Sequence, residues 1–243
     1  MMNNLKSIQD LIEVTNCRFV SLKYLGEKGE IQQIDVPANL ILENSEYIIA
    51  DLDIDLRDSK AFMDPFRSMP TITVFCHKRS IRNLAREKLY ELSGSTTHYV
   101  DFRASISFWI INNELQKNDF SPMQADPFDL YANLRSEIMS IADEIKIDIL
   151  SHHYGSSSGE SVINISAQNM LKLADDILVT KFIISNCAAS YNFMSFFTTP
   201  DHKNNLHVSY RDINTNRQVQ YEILAHNYAE LYELIVTCFR FHQ

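Results

Sequence analysis

Residues 98–111 read HYVDFRASISFWII. Apolar side chains at Phe102, Ala104, Ile106, Phe108 and Ile110 alternate with Arg103, Ser105 and Ser107, the period-two pattern of a strand with one face in a core. Working outward, residues 80–92 (SIRNLAREKLYEL) place apolar residues every three or four positions before Gly94, which predicts a helix. On the other side, Pro127 opens a predicted helix reaching about Glu144, with Leu130, Leu134, Ile138 and Ile141 on one face. A strand is expected over 145–150, then the loop HHYGSSSGE, a strand over 161–165 and a helix over 167–189. Strands over 193–198, 206–211 and 218–221 and a helix over 223–241 complete the order. Interleaving of this kind gives an α+β architecture, with helices backing a largely antiparallel sheet.

The N-terminal part has a different texture. Ile8, Leu11 and Ile12 sit at helical spacing, and residues 17–24 then alternate as a strand. A turn over 25–30 leads to a hairpin partner at 31–36, which Pro37 closes. Residues 47–50 and 71–77 read as further short strands, separated by an acidic passage with Asp51, Asp53, Asp55 and Asp58. The division expected is therefore a small sheet-rich domain over 1–79 and a second domain over 80–243.

Composition narrows the functional classes. The 243 residues carry 22 Lys+Arg against 31 Asp+Glu, a net charge of −9 with no basic run, which argues against a nucleic-acid surface. Five glycines form neither a G-x-G-x-x-G nor a Walker A pattern, so those nucleotide-binding loops lack support. Cys17, Cys76, Cys187 and Cys238 form no C-x-x-C pair and read as reduced thiols of a cytoplasmic protein. The start, MMNNLKSIQDLIEV, lacks a signal-peptide layout, and no apolar run approaches the ~20 residues of a membrane span, so no membrane association is expected.

Several passages, in one order, match a known family. Residues 63–76, MDPFRSMPTITVFC, resemble the D-P-F-R-x-x-P-T-L-x-V-x-C passage of glutamine synthetases, and residues 17–38 resemble their first hairpin. Ile149-Leu150-Ser151-His152-His153 is similar to the family's V-E-x-S-H-H-E strand end. Lys172-Leu173-Ala174-Asp175-Asp176 with Lys181-Phe182 resembles its A-D-x-x-x-x-x-K-Y helix, and Leu206-His207-Val208 stands where the family has G-M-H-V-H. The resemblance implies a small β-grasp-like N-terminal domain followed by a truncated glutamine-synthetase-like catalytic domain, and a place in nitrogen metabolism.

It also implies a chemistry whose parts can be checked. Glutamine synthetases activate glutamate with ATP and use two divalent metals, so their site needs clustered carboxylates and a histidine. The strand carrying the first two glutamates, G-P-E-P-E, matches Arg103-Ala104-Ser105-Ile106-Ser107, with serines at both ligand positions. Tyr154 stands where a glutamate should follow the double histidine, and Val162 stands where another belongs. The D-G-S-S loop is missing between Asn39 and Tyr47, and the glycine-rich N-G-S-G stretch has become Asp201-His202-Lys203-Asn204-Asn205-Leu206. The sequence ends at Gln243, before the family's N-P-x-N-S-Y-K-R-L segment, so the expectation is a shortened domain.

The expectation is therefore an inactive homologue with a binding, assembly or regulatory role: no catalytic residues, no cofactor and no metal. The residual family-matching candidates for a metal are His207, His153 and Glu160, with His152 beside them. The alternative is an active enzyme of altered chemistry, an ATP-dependent glutamate-amine ligase or a metal-dependent enzyme with a remodelled site. Ser156-Ser157-Ser158-Gly159 offers a phosphate-loop reading, but it lies between paired strands rather than before a helix. The acidic run 51–58 lacks the spacing of a calcium loop and reads as a solvated face. Because glutamine synthetases assemble as rings, the expected partner is a second copy or a glutamine-synthetase-like protein.

Overall fold

The computed structural model describes residues 4–25, 31–80, 83, 99–111, 123, 125, 128–197, 206–212 and 215–223. The turn expected at 25–30 and the helices expected over 80–92 and 223–241 lie almost wholly outside these. The chain divides into two compact units, Met1–Glu91 with Asn227–Ala229, and Leu92–His226 with Glu230–Gln243.

In the first unit, helix α1 (Asn4–Thr15) precedes strand β1 (Phe19–Leu25), which pairs antiparallel with β2 (Ile31–Pro37). Helix α2 (Ala38–Asp51), β3 (Ile54–Met63) and β4 (Thr71–Lys78) follow, giving the sheet order β2-β1-β4-β3 with β1 and β4 parallel. Ile8 and Ile12 of α1 and Ile41 and Ile48 of α2 meet Val20, Leu22, Ile72 and Val74 in one apolar core. The sheet's interior positions outside this core mix polar and apolar residues: Phe62 and Phe75 stack, Ser21 and Thr73 are fully buried, and Lys23 donates to Ser21 Oγ at 2.9 Å and Gln33 Oε1 at 2.6 Å. Burial lowers the Lys23 ammonium below its ordinary range, partly offset by the Asp64 carboxylate.

Two expectations fail here. Residues 47–50 form no strand; they belong to α2, whose buried residues Ala38, Ile41, Ser45 and Ile48 keep helical spacing. The backbone of Asn44 leaves the helical region (φ −137°, ψ 33°), and that kink splits the periodicity so that its second half resembles a short apolar strand. The acidic passage is not a solvated face throughout. Asp53 turns the chain with φ 49°, and Ile54, Asp55 and Leu56 are buried at the start of β3, where Asp55 stands opposite His77.

The second unit contains β5 (Tyr99–Ile111), α3 (Ala132–Glu144), β6 (Asp148–Tyr154), β7 (Glu160–Ala167), α4 (Met170–Ser190), β8 (Met194–Phe196), β9 (Leu206–Asp212) and β10 (Gln218–Ile223). Its strands form an antiparallel sheet in the order β10-β9-β5-β7-β6, with β8 on the far end of β5. The Ser105 and Leu206 strands lie side by side: Ser105 pairs with His207 and Ile106 with Leu206. Helices α3 and α4 pack on each other, α3 against β6 and α4 against β5, β7 and β8. Phe102, Ile106, Phe108, Ile163, Ile165, Val208 and Tyr210 form the buried side of the sheet.

The helix expected from Pro127 begins five residues late, at Ala132. Residues 128–131 form a turn in which Asp129 Oδ1 accepts the Tyr131 N–H at 3.3 Å, leaving Leu130 exposed. The strand expected over 145–150 is displaced to β6, because Lys146 takes φ 63° and ends α3 before the strand can begin. The paired histidines thus lie within β6 rather than at the start of a loop.

Candidate functional site

Strand registers place Ser105, Ser107, His153, Val162 and His207 on the face of the second sheet opposite the one that α3 and α4 pack on, whereas His152 and Tyr154, in register with Ile163 and Ser161, lie on the helix side. Side chains alternate faces along a strand, so positions paired across strands share a face. One row runs Ser151, Asn164, Ser105, His207, Glu222 across β6, β7, β5, β9 and β10. A neighbouring row holds His153, Val162 and Ser107, and on the other side Asp148, Ser166, Arg103 and Ser209 line up.

The first row is a hydrogen-bonded ladder. Ser105 Oγ donates to Asn164 Oδ1 at 2.5 Å, and Asn164 Nδ2 donates to Ser151 Oγ at 2.9 Å. Neutral groups thus satisfy one another where Ser105 was expected to replace a metal-binding carboxylate. Ser107 lies two residues on, opposite Val162. A hard divalent cation wants several charged oxygens, and this face offers none at Ser105, Ser107 or Val162. The residues present do not fit the metal pair that the resemblance implies, and no group of three His, Cys, Asp or Glu suited to a metal exists among the described residues.

The three residual candidates are not brought together as ligands. His207 sits between Ser105 and Glu222 in register. His153 lies two strands from His207's neighbour Ser105, and its Nδ1 is 2.8 Å from the Tyr154 carbonyl. Glu160, 5% exposed, is occupied by its own loop: Oε2 accepts from the Ser156 and Ser157 N–H groups at 2.8 and 2.9 Å and from their hydroxyls at 3.1 and 2.9 Å. Trp109 Nε1 donates to Ser157 Oγ at 2.9 Å, and the Gly159 N–H donates to the Tyr154 hydroxyl at 3.0 Å. The serine loop is therefore a cradle for an anion, and the anion is a side chain of the same chain. Replacing Glu160 by alanine removes a buried charged acceptor from four donors of a partly exposed loop and is expected to cost about 1–3 kcal/mol in urea unfolding; a loss below a few tenths would show that the cradle is not structural.

Sequence reasoning missed a second polar centre on the helix side. The Arg135 guanidinium, fully buried, contacts Asp129 Oδ2, donates from Nη1 to Ser161 Oγ at 3.0 Å and from Nε to His152 Nδ1 at 3.2 Å. Burial and the nearby Arg135 charge pull the His152 imidazole below its ordinary value. The available signal was Arg135 itself, one position after the buried Leu134 on a helix that buries its next turn at Ile138. In α4, Asp176 is buried and paired with Lys172 Nζ at 2.5 Å, while burial pushes the Lys181 ammonium down to about 8 beside the Phe197 ring. Both fit a structural helix.

The family of the glutamine synthetase catalytic domain matches residues 78–208. The chain belongs to the glutamine synthetase family. Curated relatives include the glutamine synthetase of Aquifex aeolicus, 22% identical over 268 residues, spanning 84% of this chain and 57% of the relative. That of Streptomyces filamentosus is 25% identical over 246 residues, spanning 77% and 52%. The chain thus spans about half the length of the curated relatives it matches. Among solved structures, Plasmodium falciparum glutamine synthetase superposes with a TM-score of 0.65 at 15% identity, over 90% of this chain and 55% of that one. Ligand-free GmaS gives 0.64 at 13% identity, over 86% and 58%. At such identities these two likenesses speak for the fold. No helix among the described residues is long and apolar enough to cross a membrane.

Proposed function

We propose that this glutamine synthetase-like chain does not carry out metal-dependent phosphoryl transfer and serves instead as a binding, assembly or regulatory protein, with a second copy or a glutamine synthetase as its partner. The observation that carries this reading is the sheet face opposite α3 and α4, where Ser105, Ser107 and Val162 stand at the expected carboxylate positions and the Glu160 carboxylate is held inside its own loop. Phosphoryl transfer from ATP depends on cations that neutralise the transferring group, so a face without anionic ligands loses the largest contribution to catalysis. Parallel pairing of β1 with β4, with α1 and α2 on one side, supports reading the N-terminal part as β-grasp-like. We place its end near residue 79, where β4 finishes, with 80–243 as the catalytic-type domain.

Calorimetry with ATP and magnesium, on the full chain, tests the reading. No magnesium-dependent heat of binding, and no glutamine formed from glutamate, ammonia and ATP, are expected. Magnesium-dependent nucleotide binding at micromolar affinity would overturn the proposal and favour the altered-chemistry enzyme. Light-scattering mass then tests assembly, with a mass above the 28.1 kDa of one chain expected.

A further inference from the structure

Each sheet ends in two strands whose outer edges pair with no further strand among the described residues. Native sheets blunt such edges with bulges, charges or covering segments, because an open row of backbone donors and acceptors is a template for another strand. On β3 the register breaks between Asp55 and Lys60, and on β6 it breaks between Ile149 and Ser151. The edge at β2 has no such device. Its register with β1 runs unbroken from Ile31 to Pro37, it holds no lysine or arginine, and every residue except Val36 is exposed. Its proline stands only at the last position, where one missing donor costs the ladder least.

The single charge on β2 does not guard the edge either. Arg67 Nη2 donates to both Asp35 oxygens, at 3.3 and 3.0 Å, and Gln33 Nε2 donates to Asp35 Oδ1 at 3.0 Å, so the carboxylate is already neutralised and satisfied. On the helix side, Ile34 pairs in register with Leu22 of the apolar core and is nevertheless 37% exposed. The apolar seam of the first unit therefore runs out to this edge and is cut open there.

The geometry points to a second copy of this chain as the occupant: β2 of one copy pairs antiparallel with β2 of the other about a two-fold axis at Ile34, joining the two four-stranded sheets into one. In that register Ile34 meets its own counterpart, Gln33 meets Asp35, and Gln32 meets Val36. An amide thus faces each carboxylate, and the two exposed isoleucines cover each other. An axis at Asp35 sets two carboxylates directly opposite, which is destabilising, and an axis at Gln33 sets Ile34 against Gln32. Charge and pattern together select Ile34. Because both copies use the same edge, the pairing closes and leaves no β2 edge open for further growth. The inference rests on the assembly reading above and names its surface and its register.

Sedimentation of the full chain over a concentration series is expected to show one chain passing to two. Ile34→Lys sets two ammonium groups against each other at the axis and is expected to weaken association at least tenfold. Ile34→Cys reads the register and is the milder change should Ile34→Lys fail to fold. Directly opposite Cβ atoms lie about 5 Å apart, close enough for a disulfide after small adjustment, so mild oxidation is expected to link two Ile34→Cys chains well above the wild-type background. Gln32→Cys, opposite Val36, places its two thiols about four residues apart along the strands, some 13 Å, and is expected to link no faster than wild type. A strictly single-chain mass overturns the inference, as does a dimer of undiminished strength in Ile34→Lys, or equal linking of Gln32→Cys and Ile34→Cys. A dimer that survives Ile34→Lys leaves the assembly reading standing while refuting this surface, and magnesium-dependent nucleotide binding counts against the proposed function alone.

Discussion

Arg135→Leu is expected to remove about 3–5 kcal/mol of stability from the second unit, read as a lower urea midpoint at unchanged slope. Both partners of the Arg135–Asp129 pair are buried, at 1% and 8% side-chain exposure. Removing the cation leaves the Asp129 carboxylate uncompensated, and an orphaned buried charge costs far more than the intact pair contributes. His152 and Ser161 lose their donor in the same step. The double change Arg135→Leu with Asp129→Asn is expected to recover a substantial part of the loss, because no bare charge remains. If the single variant loses less than 1 kcal/mol, or the double variant is no better than the single, the pair is not the keystone that its burial implies.

The same cluster sets a pH dependence. Burial and the charge of Arg135, whose Nε–H donates to His152 Nδ1, favour the neutral ring in the folded state and hold its proton affinity below the unfolded value of 6.5. Between the folded value and 6.5 the unfolded chain binds more protons than the folded one, so stability rises with pH there. Acidification below about 6.5 therefore destabilises the protein until the folded ring also protonates. Asp129, facing His152 through Arg135, acts in the opposite direction and makes the drop smaller. A His152→Gln variant should flatten this part of the profile.

How much of this was readable beforehand differs by element. The strands at Phe102 to Ile110 and at Ile163 and Ile165 follow from alternation, because one face is buried and the other is not. Helix α4 was legible from its apolar run, and Asn169 caps it by accepting the Lys172 N–H at 2.9 Å. What failed did so for local reasons. Asn44 interrupts α2, the left-handed residues Asp53 and Lys146 move the starts of β3 and β6, and Asp129 holds a turn where Pro127 predicts the start of a helix. At the candidate site the types of residue were legible, serines and a valine in place of glutamates. Their partners were not, since the Ser105–Asn164 bond spans 59 positions and the Arg135–Ser161 bond spans 26. Nothing in the sequence near Glu160 tells that its carboxylate turns back on the serines before it.

Gly159→Ala is expected to be the most damaging single-methyl change in the second unit. Gly159 has φ +74°, a conformation that costs an L-residue about 1–2 kcal/mol by itself. An added Cβ would lie 2.7 Å from the Ile110 carbonyl oxygen, which is backbone and cannot swing aside. The Gly159 carbonyl is also held by the Ile110 N–H at 2.9 Å, so the loop cannot retreat from β5 without breaking that bond. Retreat would further detach the Gly159 N–H from the Tyr154 hydroxyl and loosen the cradle around Glu160. The steric and conformational costs therefore add, and a loss above about 2 kcal/mol is expected, accompanied by faster amide exchange at Ser156 and Ser157, whose N–H groups the Glu160 carboxylate protects. Gly155→Ala provides the contrast. Its Cβ would first meet the Glu160 side chain, at 2.3 to 2.7 Å, so it should expel that carboxylate and open the same amides with no strain from φ. Wild-type exchange at Ser156 and Ser157 in both variants would mean that the loop does not depend on these two glycines or on the glutamate they accommodate.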